Sequence, residues 1–186
     1  MRIGSIALAL VGICLLLAGS GAAQDGSPGL SFFDVPQALA FHEFPLYDAG
    51  DRVDGLPLVA VLRRDDTADF VSFVYGDCTA GDDEGCAPPA EVQVWPACRR
   101  NLRLYDSPLS GTPAPEPTKV RGVPAAFFED GERLELQTGI STVVVFAANR
   151  TRVLRIAAAL RPLGASPSDR PLPRPDPGAL AGTLRC

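Results

Sequence analysis

The chain is poor in the side chains that most often do chemistry. Its 186 residues hold one histidine (His42), one lysine (Lys119), one tryptophan (Trp95) and one methionine. A single histidine leaves few ways to build a nucleophile–base pair. A Ser–Lys pair would have to use Lys119, which sits beside a proline-rich stretch. No Gly-x-Ser-x-Gly elbow, His-Glu-x-x-His helix or phosphate-cradling loop occurs. No Cys-x-x-Cys occurs either, and His42 is remote from the cysteines, so a zinc centre lacks its usual ligand spacing. Paired carboxylates stay open, because Asp and Glu together number 22 and their spacing in sequence says little about their spacing in the fold.

Basic stripes are also missing. The formal charge is −5, and Arg99, Arg100 and Arg103 form the only dense basic spot, which reads as a solvated face. An acidic chain without a basic stripe is a poor nucleic-acid binder, because phosphate neutralisation dominates that affinity. One lysine against sixteen arginines points to GC-rich coding rather than to a function.

Long apolar runs are absent except at the start. Residues 1–23 read as a secretory signal peptide: Arg2 is the charged region, Ile3 to Ala18 is apolar, and Gly21-Ala22-Ala23 supplies small residues for cleavage before Gln24. The alternative is an uncleaved anchor, although Ile3 to Ala18 is short for a span. Cys14 lies inside the apolar run behind Ile13, which argues against a lipoprotein, and it leaves with the signal. Cleavage removes Arg2 and moves the formal charge from −5 to −6. The expected protein is secreted or extracytoplasmic, with no stable membrane span after cleavage.

Four cysteines then remain: Cys78, Cys86, Cys98 and Cys186. An even count in an exported chain reads as two disulfides with three possible pairings. Cys78 and Cys86 flank one loop and are the favoured pair, which leaves Cys98 for Cys186. In the chain-entropy model the first bridge is worth about 2.5 kcal/mol and the second about 4.6 kcal/mol. The alternative is a free Cys186 in a mobile tail.

The stretch from Val71 to Cys98 gathers most of this chemistry. It reads as two strands, Asp69–Tyr75 and Glu91–Trp95, joined by an acidic loop. The first is apolar on both faces and is expected to be covered on both sides. Asp77, Asp82, Asp83 and Glu84 are oxygen ligands of the kind calcium takes, but their spacing does not match the Asp-x-Asp-x-Asp-Gly calcium loop. A solvated turn closed by Cys78 and Cys86 is the better reading. Trp95 falls on the polar face of its strand, where it either stacks on a ligand or is covered by a neighbouring segment, the second being favoured.

Elsewhere, residues 24–29 read as a flexible start and residues 30–162 as one disulfide-stapled domain. Ala38 to Phe41 is a helical turn or an edge strand. Gly50 and Asp54-Gly55 supply turns before a strand at Leu56–Arg63. Asn101–Tyr105 reads as a short strand. Pro108, Pro113, Pro115 and Pro117 mark a loop. Ala125–Glu129 and Glu132–Thr138 form a hairpin about Asp130-Gly131, with Arg133, Glu135 and Gln137 on a wet face. Ser141–Ala147 is apolar and β-branched, hence central. A helix over Arg150–Arg161 follows, capped by Asn149, with Val153, Ile156, Ala157 and Leu160 as its buried stripe. Asn149-Arg150-Thr151 also matches a glycosylation acceptor, but capping is the better use of Asn149. Residues 163–186 have no apolar period and are expected to lie extended on the surface or disordered.

Three sets of short motifs, spread over most of the chain after residue 23, resemble a group of uncharacterised exported proteins from GC-rich bacteria. They are Tyr47-x-x-Gly50 with Gly55-Leu-Pro-Leu58; Tyr75-Gly-Asp-Cys78 with Gly85-Cys-Ala-Pro-Pro89; and Arg121-Gly-Val-Pro124 ahead of Leu160-Arg-Pro162. The resemblance implies an exported, cysteine-pinned β-rich domain and carries over no catalytic residue.

The expected fold is α+β: an antiparallel sheet of about six strands with one C-terminal helix packed on a face. A β-sandwich with a terminal helix is the alternative. The expected function is an exported, non-catalytic binding or interaction domain for an unknown protein or small ligand, without cofactor or metal. Its candidate surface is Asp82, Asp83, Glu84, Trp95 and Tyr105, carried on a stapled loop. A structural envelope-associated role, or a hydrolase with a carboxylate site hidden from the sequence, are the alternatives.

Overall fold

The computed structural model describes residues 29–77, 87–102 and 114–186. Its strands in chain order are β1 (Leu30–Phe33), β2 (Tyr47–Asp48), β3 (Arg52–Val53), β4 (Leu56–Arg64), β5 (Phe70–Tyr75), β6 (Ala90–Pro96), β7 (Glu116–Val120), β8 (Val123–Phe128), β9 (Arg133–Thr138), β10 (Ser141–Ala147) and β11 (Arg161–Pro162). The helices are α1 (Val35–Ala40), α2 (Arg150–Ala159) and α3 (Pro177–Ala181).

Two antiparallel meanders meet in the middle of one sheet. Its order is β1-β4-β5-β6-β10-β9-β8-β7, and β3 adds to β4. The chain leaves β6 for the far edge at β7 and then returns strand by strand until β10 pairs with β6. β10 reads Ser-Thr-Val-Val-Val-Phe-Ala, the most β-branched run in the chain, which suits a strand with neighbours on both sides. Val143 lies opposite Val94 and Leu136, and Val145 opposite Val92 and Leu134. These cross-strand pairs fix the register, because a slip of one residue would turn every buried valine to the other face.

The main sheet has nine strands, not about six. The extra ones are short or lie at the edge. β3 has two residues and β1 four, too few to show a period. β7 contains Pro117, which a sequence reading assigns to a loop, but an edge strand tolerates a residue without an N–H. Asn101 and Leu102, the described part of the strand expected over Asn101–Tyr105, do not join the sheet. Ala38 to Phe41 resolves in favour of helix. α1 is opened by a reciprocal cap in which Gln37 N donates to Asp34 Oδ1 at 2.6 Å and Asp34 N donates to Gln37 Oε1 at 2.7 Å.

One face of the sheet carries Val61, Phe73, Val92, Val145, Leu134 and Phe127 in a row across the strands. α2 covers part of this face with Val153, Ile156 and Ala157, and Leu160 just past its end joins them, all fully buried. Burying such side chains contributes roughly 1.5–3 kcal/mol each for the larger ones. Ala38, Phe44, Leu46 and Tyr47, from the segment between β1 and β3, join the same core. The helix starts where expected, with Asn149 Oδ1 accepting from Arg152 N at 3.0 Å. It stops at Ala159, earlier than predicted, because Pro162 disfavours helical backbone at Arg161. Arg161 and Pro162 instead pair with β2.

The opposite face is not wet. Glu135 and Gln137, expected in solvent, are 0% and 1% exposed. All six residues of β5 are buried, in line with a strand covered on both sides. The β8–β9 hairpin is present, but its turn is longer than the expected Asp130-Gly131 pair. A 3-10 turn spans Glu129–Gly131, and Glu129, Asp130 and Gly131 take φ of 51°, 53° and 94°.

Residues 163–186 are neither helix-free nor merely draped on the surface. They include α3, and they bury Leu172 and Ala179 at 4% and 0% exposure. Among the described residues no helix is long and apolar enough to cross a membrane.

The Asp54-Gly55 turn has a second use beyond reversing the chain into β4. Asp54 accepts from Arg152 Nε at 2.7 Å and Arg155 Nε at 2.6 Å, so it ties the hairpin to the polar side of α2. The two guanidiniums, Arg155 first, hold the Asp54 carboxyl below its usual value. A depressed native pKa gives stability that is present above about pH 4 and is lost as pH falls through the native value. Asp54→Asn keeps a residue that accepts positive φ. It should lower the melting temperature at pH 7, and the gap to the parent should close in melts run below about pH 4.

Candidate functional site

Of the surface residues predicted from sequence, Asp82, Asp83, Glu84 and Tyr105 lie outside the described residues, as do Cys78 and Cys86. Trp95 is described and half-buried. Its ring lies 4.5 Å from that of Phe70, and the Arg100 guanidinium carbon sits 5.0 Å from the ring centre. Its Nε1 donates to Gln93 Oε1 at 3.1 Å. Phe70 and Arg100 thus cover part of the ring.

Trp95 belongs to a polar row crossing the second face. Gln93 Nε2 and Ser72 Oγ both donate to Glu91 Oε1, at 2.9 and 2.5 Å. Arg100 meets Glu135 with both Nε, at 3.0 Å, and Nη2. Arg133 adds its Nε 3.3 Å from Glu135 and reaches Glu129 at 2.7 Å. Thr142 Oγ1 donates to Arg100 O at 2.5 Å, fastening the chain that leaves β6 over this face. A fully buried carboxylate between two guanidiniums is costly to break, since removing one partner of a buried pair typically costs 3–5 kcal/mol. The row serves as internal architecture for a covered sheet.

His42 is exposed and contacts Ala40 O through Nδ1 at 3.2 Å. It borders an apolar cavity of about 230 Å³ whose lining, among the described residues, includes Leu39, Phe41, Phe44 and Leu163 but no carboxylate. The neighbouring Glu43 points elsewhere, to Arg63 at 3.2 Å, and Arg63 also holds Asp69 at 2.6 Å. That ion trio lies near Cys98 and Cys186, which are placed as a disulfide with Cα atoms 5.4 Å apart, inside the range a bridge spans. Glu43, Asp69 and the two cysteines border a cavity of about 350 Å³.

The most distinctive cavity was not visible in the sequence. It measures about 520 Å³ and lies between Arg121, β11 and the strap of residues 165–173. Arg121 sits at positive φ in the β7–β8 turn, ahead of Gly122. Its Nη1 donates to Leu160 O and, at 3.4 Å, to Ala158 O, where α2 ends. Its Nη2 donates to Ser168 O at 2.5 Å and to Arg170 O. One guanidinium thus joins the helix end to the strap. Leu172 N donates back to Arg121 O at 3.0 Å, Thr138 Oγ1 donates to Pro173 O at 2.8 Å, and Asp176 N donates to Gly139 O at 2.8 Å.

Behind the cavity is a buried polar cluster. Arg161 Nε faces Asp48 Oδ1 at 3.4 Å, and neither atom completes a hydrogen bond. Burial raises the Asp48 carboxyl above its usual value, against the pull of Arg161. Gly50 takes φ 90°, and a Cβ there would come within 2.7 Å of Arg161 Nη2, so the guanidinium occupies space that only glycine leaves. Tyr75 Oη accepts from Ala49 N at 2.9 Å, and burial raises its phenol. The motif residues Tyr47, Gly50, Tyr75, Arg121 and Leu160-Arg161-Pro162 therefore converge here from distant parts of the chain. The glycine at Gly50 and the Arg-Gly pair at 121–122 were the only sequence signals.

No family model, no curated protein and no solved structure matches this chain.

Two predictions test this region. Arg121→Gln removes charge-assisted bonds worth roughly 1.5–3 kcal/mol apiece at most. Hydrogen exchange should rise first in residues 163–173, ahead of β10. Non-reducing peptide mapping should recover a Cys98–Cys186 peptide, and Cys186→Ser should destabilise the oxidised protein by about 2–5 kcal/mol in denaturant melts.

Proposed function

We propose that the chain is a non-catalytic binding domain that works outside the cytoplasm. The observation that carries this reading is the fastening of the C-terminal strap. A segment without an apolar period of its own is held by Arg121, by the Thr138 side chain of β9, by a backbone bond to Gly139 in the turn after β9, and by the Cys98–Cys186 contact. Walls fixed in advance lower the ordering cost of binding, which is the general advantage of a preorganised site. The adjoining cavity of about 520 Å³ has the size of small-molecule sites. An exported location is supported by the apolar N-terminal run and by cysteines placed to pair, a chemistry that persists in oxidising compartments.

The test is a thermal-shift screen of the oxidised chain against small extracellular solutes, run beside a panel of hydrolase substrates. A solute present at 100 times its dissociation constant adds about 2.7 kcal/mol. The expected outcome is a clear rise in melting temperature for one chemical class, abolished by substitutions along the strap. Turnover of any substrate in the panel, removed by a carboxylate substitution, would replace this reading with an enzyme.

A further inference from the structure

We propose that the strap cavity binds the oxyanion group of a small solute, a carboxylate, phosphate or sulfate, with Arg170 and Arg161 as its cationic contacts. The proposal rests on the binding-domain reading and names the ligand class for it.

Charge sets this cavity apart. The protein is acidic overall, yet among the described residues this cavity is lined by Arg121, Arg161 and Arg170 and by no carboxylate. The other cavity of about 520 Å³ makes the contrast. There Arg150 pairs with Glu116 at 2.6 Å and Arg133 with Glu129 at 2.7 Å, so its cations are already neutralised. In the strap cavity the three guanidiniums are committed to different degrees. Arg121 spends both Nη atoms on backbone carbonyls and supplies charge and wall rather than free donors. Arg161 is half-committed: its buried Nε faces Asp48, its one carboxylate among the described residues, at 3.4 Å, which leaves its Nη atoms for a ligand. Arg170 has no partner for its guanidinium among the described residues.

Hydroxyl donors complete the set. Ser168 Oγ accepts from Arg170 N at 3.1 Å, which leaves its own proton to donate, and Ser166 lies on the same wall. Pro162, Pro167, Pro171 and Pro173 restrict the backbone around these groups. A planar guanidinium fork with adjacent hydroxyls is the arrangement that matches carboxylate and phosphate oxygens. Asp48 acts against such a ligand, because it competes for Arg161. Removing its charge should therefore strengthen binding, an effect opposite to that of losing a structural contact.

The experiment is isothermal titration of the oxidised full-length exported chain at pH 7 and constant ionic strength, using sodium sulfate, sodium phosphate and sodium succinate as separate probes. At least one probe should bind saturably at a single site, and the probe that binds tightest identifies the oxyanion. Arg170→Gln should weaken that binding about tenfold or more. Arg174→Gln, which removes an exposed arginine outside the cavity, should leave it unchanged. Asp48→Asn should tighten it severalfold, and if that variant does not fold, the comparison of Arg170→Gln with Arg174→Gln still decides. Equal weakening by the two arginine substitutions, or no saturable binding of any probe, overturns the proposal. If neutral solutes stabilise the chain while all three anions fail, the ligand class is wrong and the binding-domain reading stands. If nothing stabilises it, both fall.

Discussion

Both faces of the central strands are buried, and among the described residues only α2 is a helix longer than six residues with which to cover them. That shortage shapes most of the remaining architecture. α2 closes one face together with apolar residues from the segment between β1 and β3. On the other face the chain leaving β6 is drawn over β9 and β10 by Arg100 and Thr142. The C-terminal strap then seals the end of the sheet near the β9–β10 turn. Irregular segments are expensive to bury because their backbone groups need partners. Here side chains provide them: Arg121 alone serves carbonyls from residues 158, 160, 168 and 170.

Charge is used inside this protein in two distinct ways. On the second face, Glu135 is satisfied from both sides, and its two arginines also cover Trp95 and Phe128. Such a network ties the sheet to its cover, although Arg133 Nε, 3.3 Å from Glu135, completes no hydrogen bond. At the strap, the Asp48–Arg161 pair is left incomplete, and burial works against the carboxylate. Unsatisfied buried groups are uncommon in folded proteins and call for an explanation. Glu135 lies fully buried between its arginines, whereas Arg161 borders the strap cavity, and that placement separates architecture from a candidate site here.

Local pattern made part of the fold legible. β10 announced itself through an unbroken β-branched run, and α2 through its apolar spacing and its asparagine cap. The Asp54-Gly55 turn was equally plain, although its grip on Arg152 and Arg155 was not. What failed were inferences that needed knowledge of neighbours. The alternation Arg133-Leu134-Glu135-Leu136-Gln137 distinguishes two faces but does not say what lies over the polar one. Residues 163–186 looked featureless because periodicity measures self-contained faces, whereas this segment is held by single contacts to partners elsewhere. The candidate cavity draws on positions 48, 121, 161 and 170, which no window of sequence brings together. Of the surface predicted from sequence, Trp95 was placed on the correct face, and its cover by Phe70 and Arg100 followed from the tertiary fold.

The two rims of the sheet differ in a way that bears on self-association. At one rim, β7 carries Glu116, Pro117 and Lys119, with a missing donor and two charges where another strand would dock. At the other, β1 reads Leu-Ser-Phe-Phe, without charge or proline, and Phe32 is 68% exposed. Proline and charge are the usual guards against strand addition. Growth of a continuous sheet through many copies needs two receptive rims on every copy, and the described residues offer one. Between copies of the described strands, main-chain pairing is open at β1 and guarded at β7, so the sheet is protected from open-ended extension by geometry rather than by weak contact.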